Sequence, residues 1–190
     1  ALYRLVALAG RTAGLDPGDI QGHTRTAAQM NVAFHSDPSG ERILLDGREV
    51  SAVLRDEAVG AGASRVAAWP QVRAVLLARQ HEAARPPGLI ADGRDMGTVV
   101  FPAARLKIFL TATADERARR RYNQLKEKDS GVSLAALSRE IAERDRRDAT
   151  RPVAPLVPAA DAIVLDSTAL SAAEVADRIL AYGRARGLWG

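Results

Sequence analysis

Leu89-Ile90-Ala91-Asp92-Gly93-Arg94-Asp95-Met96-Gly97-Thr98 is the stretch on which the fold turns. A short apolar run with the signature of a buried strand closes on a glycine-punctuated segment holding two carboxylates around an arginine. The same strand signature returns at 106–110 and at Ala162-Ile163-Val164-Leu165. Between and after these strands the apolar period changes, predicting helices at roughly 114–128, 133–149 and 171–186. The last opens on Ser171-Ala172-Ala173-Glu174, a capping box. Short apolar strands separated by helices predict a parallel α/β sheet, and ligands of such sheets sit at the carboxyl ends of strands. The run from Asp92 to Thr98 stands at such an end. Three strands are few for a sheet of this kind, which suggests that part of it lies elsewhere.

Working back from that stretch, Pro86-Pro87-Gly88 closes a different kind of lobe. Residues 29–50 alternate apolar and polar positions around two turn signals, Asp37-Pro38-Ser39-Gly40 and Asp46-Gly47, and predict a small antiparallel sheet. Residues 51–85 return to a helical period, broken at Trp69-Pro70. Asp16-Pro17 predicts the start of a short helix running towards Ala28. The chain opens on Ala1-Leu2-Tyr3-Arg4 with a helical stripe of Leu2, Leu5, Val6 and Leu8 but no Ser, Thr, Asp or Asn cap before it. That is the pattern of a helix entered partway.

Composition narrows the function. At 190 residues and 47% hydrophobic, the chain can bury a core. No apolar run reaches a membrane span, and no basic, apolar and cleavage segments follow one another as a secretory signal would. Cysteine is absent, which removes disulfides, thiolate zinc sites and a cysteine nucleophile. The expected location is the cytoplasm. Of the 27 cations only Lys107, Lys126 and Lys128 are lysine; the other 24 are arginine, whose planar fork suits phosphate and carboxylate. Coding bias explains the excess but not the clusters.

Three clusters carry possible chemistry. Asp92 to Thr98 is either a tight turn with a surface ion pair or a ligand loop whose glycines let backbone approach closely. In Arg144-Asp145-Arg146-Arg147-Asp148-Ala149-Thr150-Arg151, positions 144, 148 and 151 share one helix face. The arginines there either lace a solvated face or fork around phosphate while Asp148 accepts from sugar hydroxyls. Asp115-Glu116-Arg117-Ala118-Arg119-Arg120-Arg121 is either an exposed basic helix or a further anion grip. With Arg4 and Arg73 they suit a small, highly anionic ligand.

Tyr3-Arg4, the run VAAWPQVR at 66–73, the run GLIADGRDMGTVVF at 88–101, the run RDRRDATR at 144–151 and APLVP at 154–158 together resemble the bacterial cytidylate kinases. The similarity covers essentially the whole chain. It implies a P-loop nucleoside monophosphate kinase fold, α/β with a parallel sheet, transferring the γ-phosphoryl group of ATP to CMP or dCMP with Mg²⁺ in pyrimidine nucleotide metabolism. It implies a kinase core at 1–25 and 66–190, an inserted antiparallel-sheet nucleotide-monophosphate lobe at 26–65, and a lid at about 114–128. Arg4, Arg94 and Arg151 would grip the acceptor phosphate; Ser64, Arg73 and Asp95 would read cytosine; Arg144 and Asp148 would hold the ribose. Arg94, Arg151 and Arg121 would bear on the transferring phosphoryl group, and Arg117, Arg120 and Arg121 would belong to the lid over ATP. Asp92 would help place Mg²⁺ through water, as that ion prefers. A carboxylate is the natural acceptor for the cytosine amine, which favours Asp95 in its role.

One departure is large. The glycine-rich GxxxxGK[ST] loop that cradles ATP phosphates in this family does not occur in the 190 residues, nor does the Asp-Ser-Gly expected before Tyr3-Arg4. The parallel sheet is therefore expected to lack its first strands, so that the strands read at 89–92 and 106–110 either flank a vacant slot or collapse together. The 190 residues alone are expected to be inactive and poorly stable, and the intact enzyme monomeric. The alternatives are a non-catalytic CMP-binding protein and an arginine-rich nucleic-acid-binding module. The second is disfavoured by an aromatic content of 4%, too sparse for a stacking platform.

Overall fold

A computed structural model describes residues 1–38, 40–126, 133–150 and 152–189, without the side chains of Ser36, Leu125 and Lys126. The chain divides into two compact units, Ala1–Leu89 and Ile90–Gly190.

The first unit starts with α1 (Leu2–Thr12), whose Leu5, Val6 and Leu8 are buried and whose N-terminus has no side-chain cap. α2 (Ile20–Gln29) begins three residues later than Asp16-Pro17 predicts. Asp16 instead accepts from the Gly18 N–H at 2.7 Å and closes a turn, and Asp19 caps the helix by accepting from Gly22 N–H at 2.8 Å. Two carboxylates compete for the capping position: Asp16 is taken up by the turn at Gly18, and Asp19 is left to cap the helix.

A three-stranded antiparallel sheet follows, β1 (Val32–Asp37), β2 (Gly40–Leu45) and β3 (Arg48–Glu49). Its register runs from Val32 opposite Leu45 to Asp37 opposite Gly40. The Asp46-Gly47 turn has positive φ at both residues, 49° and 79°, the left-handed pair whose twist matches flanking strands. After a short 3₁₀ turn at Val53–Arg55 come α3 (Glu57–Val66) and α4 (Pro70–Glu82). Pro70 occupies the first turn of α4, where its missing N–H leaves nothing unsatisfied. Leu5, Val6, Met30, Leu45, Leu54, Val66, Val72 and Leu76 form one core drawn from the helices, the 3₁₀ turn and β2. Arg79 of α4 donates to the Ala28 and Met30 carbonyls at 3.2 and 2.7 Å and so completes the end of α2.

In the second unit β4 (Ile108–Thr111) pairs in parallel with β5 (Ile163–Asp166), Ile108 opposite Ile163 through Thr111 opposite Asp166. The crossover holds α5 (Ala114–Lys126) and α6 (Leu134–Thr150). α7 (Ala172–Ala185) follows β5, opened by the Ser171–Glu174 capping box. It closes where the Leu188 N–H reaches the Gly183 carbonyl at 3.0 Å and Gly187 turns left-handed at φ 60°. Among the described residues the fold is therefore α/β, with one parallel and one antiparallel sheet.

The stretch at 89–92 forms no strand. Leu89 is 46% and Ile90 94% exposed, and the backbone there is irregular. A strand forms only where its N–H and C=O groups meet a neighbour, and among the described residues no strand runs beside it. The buried strand expected there is thus corrected to an exposed, irregular segment. After it, Met96–Val100 makes a single π-helical turn, closed by Val100 N–H to the Asp95 carbonyl at 3.2 Å and Phe101 N–H to the Met96 carbonyl at 2.6 Å. Such wide turns concentrate at functional sites.

Candidate functional site

In the first unit the residues of interest gather where α1, α3 and α4 meet. Arg4 projects from α1 and donates to the Leu54 carbonyl, with a second contact to the Asp56 carbonyl at 3.3 Å. Its guanidinium lies over α3 because Gly60 has no side chain: a Cβ there would come within 3.0 Å of Arg4 Nη2. Ser64, one turn along α3, donates to the Gly60 carbonyl at 3.3 Å. Arg73 is buried on α4, donates to the Ala67 carbonyl at 3.3 Å, and stands 5.7 Å from the centre of the Tyr3 ring, within cation–π reach. Arg4, Ser64 and Arg73 thus share one small region, with Tyr3, read only as part of the Tyr3-Arg4 motif, and Gly60, not singled out in the sequence, as supports.

In the second unit the structure joins Arg94, Arg144 and Asp148. The Asp148 carboxylate is buried at 5% exposure. Its Oδ2 lies 3.4 Å from Arg94 Nη2 and 3.9 Å from Arg144 Nε. Arg144 and Asp148 meet because they are one helical turn apart, and Arg94 arrives from the loop before the π-helical turn. Asp95 is buried at the head of that turn, its carbonyl accepting from Val99 and Val100. Asp92 is exposed. Arg151 lies outside the described residues.

The basic face of α5 is tied down by acids. Arg117 pairs with Asp145 on α6 and donates to the Ala112 carbonyl at 3.1 Å. Glu116 receives Arg119 and Arg120 at 2.7–3.0 Å, and these two cations hold its carboxyl below the ordinary value of 4.5 against the opposing effect of desolvation. Arg120 also reaches the loop after β5, donating to the Ser167 hydroxyl at 3.1 Å, the Ser167 carbonyl and the Leu170 carbonyl at 3.3 Å. Arg121 lies on the same helix, half-buried, and the lid stretch beyond 126 falls outside the described residues. Glu116, Asp145 and Ser167 were not legible as partners: only the i, i+3 and i, i+4 spacing to Glu116 is visible in sequence, whereas Asp145 and Ser167 lie 28 and 47 residues away.

No group of three or more His, Cys, Asp or Glu among the described residues could hold a metal. Among them no helix is long and apolar enough to cross a membrane. The arrangement therefore offers arginine forks beside single carboxylates, the equipment for holding phosphate and hydroxyl groups of a small ligand.

A family model described as cytidylate kinase matches residues 1–185. A cytidylate kinase of Pseudomonas fluorescens (strain Pf0-1) is 58% identical over 182 residues, covering 95% of this chain and 80% of that protein. One of Stutzerimonas stutzeri (strain A1501) is 55% identical over 192 residues, covering 100% of this chain and 84% of its own length. One of Azotobacter vinelandii (strain DJ / ATCC BAA-1303) is 53% identical with the same coverage. The arginine and carboxylate pattern and these similarities point the same way: the chain belongs to the cytidylate kinase family.

Proposed function

We propose that these residues carry the acceptor side of a cytidylate kinase, which transfers the γ-phosphoryl group of ATP to CMP or dCMP. The observation that supports this most is the buried Asp148 carboxylate with Arg94 and Arg144 turned onto it. A nucleoside monophosphate needs forks for its phosphate and an acceptor for its sugar hydroxyls, and this cluster supplies both. Arg4, Arg94 and Arg151 hold the acceptor phosphate, Arg144 and Asp148 the ribose. Ser64, Arg73 and Asp95 read cytosine: the carboxylate takes the exocyclic amine and the guanidinium donates to O2 and N3. Residues 26–65 act as the acceptor lobe, and 114–128 as the lid.

Chemistry of this kind needs no protein nucleophile. An acceptor phosphate oxygen attacks the γ-phosphorus in line, the bond to the bridging oxygen breaks, and the electron pair leaves with ADP. Arg94, Arg151 and Arg121 spread the charge on the transferring group. Arg120, whose donors already meet Glu116, Ser167 and Leu170, serves the lid by fixing α5. Mg²⁺ carried by the nucleotide supplies further charge neutralisation when bound. The exposed Asp92 carboxylate fits an ion that keeps most of its waters.

ATP turnover also requires a phosphate loop, and GxxxxGK[ST] does not occur in these 190 residues. By themselves they bind CMP without turning ATP over. Ile90, Val99, Leu110 and Val164 are exposed apolar residues of the second unit, and a two-stranded sheet is small for independent stability, so the 190 residues alone are also expected to be marginal. Titration calorimetry should give saturable CMP binding, tighter than UMP. A coupled ADP-release assay should give no CMP-dependent turnover until an N-terminal segment bearing GxxxxGK[ST] is joined on. Absence of saturable CMP binding would overturn the acceptor assignment, and turnover by the 190 residues would overturn the dependence on that loop.

A further inference from the structure

We propose that Lys107 is a positioning residue that sets the aim of Arg94 and Asp95 without touching substrate. The inference rests on the acceptor reading above for what those two residues do, but its geometry is independent of it. Lys107 is buried, which for a lysine demands a partner, and stands just ahead of β4. Its ammonium donates to both oxygens of Asp161, each at 2.8 Å, and to the Pro102 carbonyl at 2.6 Å. The ammonium is thus held between one carboxylate and one backbone carbonyl. Its aliphatic stem lies against Gly97: a Cβ there would meet Lys107 Cδ at 3.2 Å and Cγ at 3.4 Å. The Lys107 carbonyl meanwhile accepts from the Ile163 N–H at 2.9 Å, which ties the same residue into the parallel ladder.

Those contacts bracket the segment that carries the site. Arg94 and Asp95 head the π-helical turn, Gly97 lies inside it, and Pro102 follows its end. The turn itself is a short run of wide bonds, Val99 and Val100 N–H to the Asp95 carbonyl and Phe101 N–H to the Met96 carbonyl. A turn of this kind is held in place by what it leans on. Lys107 supplies that support from the sheet, pressing on Gly97 with its stem and fixing Pro102 with its charge. Asp161 keeps the ammonium in position, and the Lys107 hydrogen bonds keep its carboxyl ionised below the ordinary range. Misplacing groups that orient a substrate by even 1 Å is costly, so a residue outside the site can govern it.

Lys107→Met keeps most of the stem and removes the charge; Lys107→Arg keeps the charge; Arg105→Met, which breaks the contacts of Arg105 to the Arg186 and Gly187 carbonyls, perturbs the same unit away from the turn. Each is titrated with CMP and with UMP at a temperature where melting curves show it folded, and amide hydrogen exchange is followed at Val99, Val100 and Phe101. The expected result is a CMP-to-UMP affinity ratio lowered about ten-fold in Lys107→Met, largely restored in Lys107→Arg and unchanged in Arg105→Met, with faster exchange at the three amides in Lys107→Met only. An unchanged ratio in Lys107→Met, or unchanged exchange at those amides, overturns the proposal. If the parent chain itself shows no preference for CMP, the acceptor reading fails and the exchange data alone decide whether Lys107 holds the turn.

Discussion

Arg94 Nη2 stands 3.4 Å from Asp148 Oδ2, so the loop after residue 92 and the face of α6 meet at one buried carboxylate oxygen. Arg144 approaches the same oxygen at 3.9 Å. Asp148→Ala leaves two guanidinium groups without that acceptor. Both are about a third exposed, so solvent screens part of the loss, and the expected destabilisation is about 1–2 kcal/mol rather than the full value of a buried pair. CMP affinity should fall about ten- to one-hundred-fold, the worth of a hydrogen bond to a charged group, and dCMP affinity by less. Titration calorimetry with both nucleotides checks it.

Arg94→Ala and Asp95→Asn should separate chemistry from recognition. In the chain extended with a phosphate loop, Arg94→Ala is expected to lower kcat more than it raises KM, because charge redistributes on the group it holds. Asp95→Asn should instead relax the preference for CMP over UMP, since an amide is a poorer acceptor for the cytosine amine. Steady-state kinetics with both acceptors decide; an unchanged kcat in Arg94→Ala removes it from the phosphoryl group.

Gly60→Ala probes the seat of Arg4. The added methyl group would come within 3.0 Å of the far end of a flexible side chain, so the fold should tolerate it with a melting temperature close to the parent's. The guanidinium must give way by a few tenths of an ångström, and CMP affinity should drop roughly three-fold, well short of the ~100-fold cost of a 1 Å misplacement. A thermal melt and a CMP titration on one sample test both halves.

Acid should loosen the second unit. Arg119 and Arg120 hold the Glu116 carboxyl below its ordinary 4.5, and Lys107 holds Asp161 below 3.8. A carboxyl whose value is depressed by folding stabilises the fold above its unfolded value, and that contribution disappears as pH falls through the lower folded one. The melting temperature should therefore be level near neutrality and decline below about pH 4.5. Glu116→Gln should show a shallower decline over the same range, as melts from pH 6 to pH 3 would reveal.

Gly183→Ala addresses the far end of α7. Trp189 packs against that glycine, and a Cβ would sit 1.8 Å from its ring, so the ring must leave. Displacing it should cost about 1–3 kcal/mol as an overpacking change, offset in part by alanine's better helix propensity. The indole then meets water, and tryptophan emission should shift to longer wavelength, with Trp69 as the only other contributor.

Much of the architecture was legible because its causes are local. The left-handed demand at Asp46-Gly47 marks a hairpin, Trp69-Pro70 marks a break in the helical stretch, and Ser171 with Glu174 marks a helix start. The run at 89–91 reads as a strand because three apolar residues in a row do, yet pairing rather than composition decides a strand. Arg144 and Asp148 could be placed on one face from their spacing, but that Arg94 would join them could not. Lys107 looked like an ordinary strand lysine, since burial, Asp161 and Gly97 come together only through tertiary contact. The same holds for Asp145 beneath Arg117.

The parallel pairing of β4 with β5 also has a consequence in time. Partners in that ladder stand about 55 residues apart in the chain, as Ile108 and Ile163 do, whereas β1 and β2 pair as near in sequence as Asp37 opposite Gly40. At about 5–20 residues per second, a ribosome would finish β5 roughly three to ten seconds after β4. The first unit can close its hairpin as soon as it emerges, but β4 must wait with an unpaired edge and an apolar face that includes Leu110. Nascent chains stalled inside that interval are where aggregation of this protein should concentrate, and where a chaperone would find it.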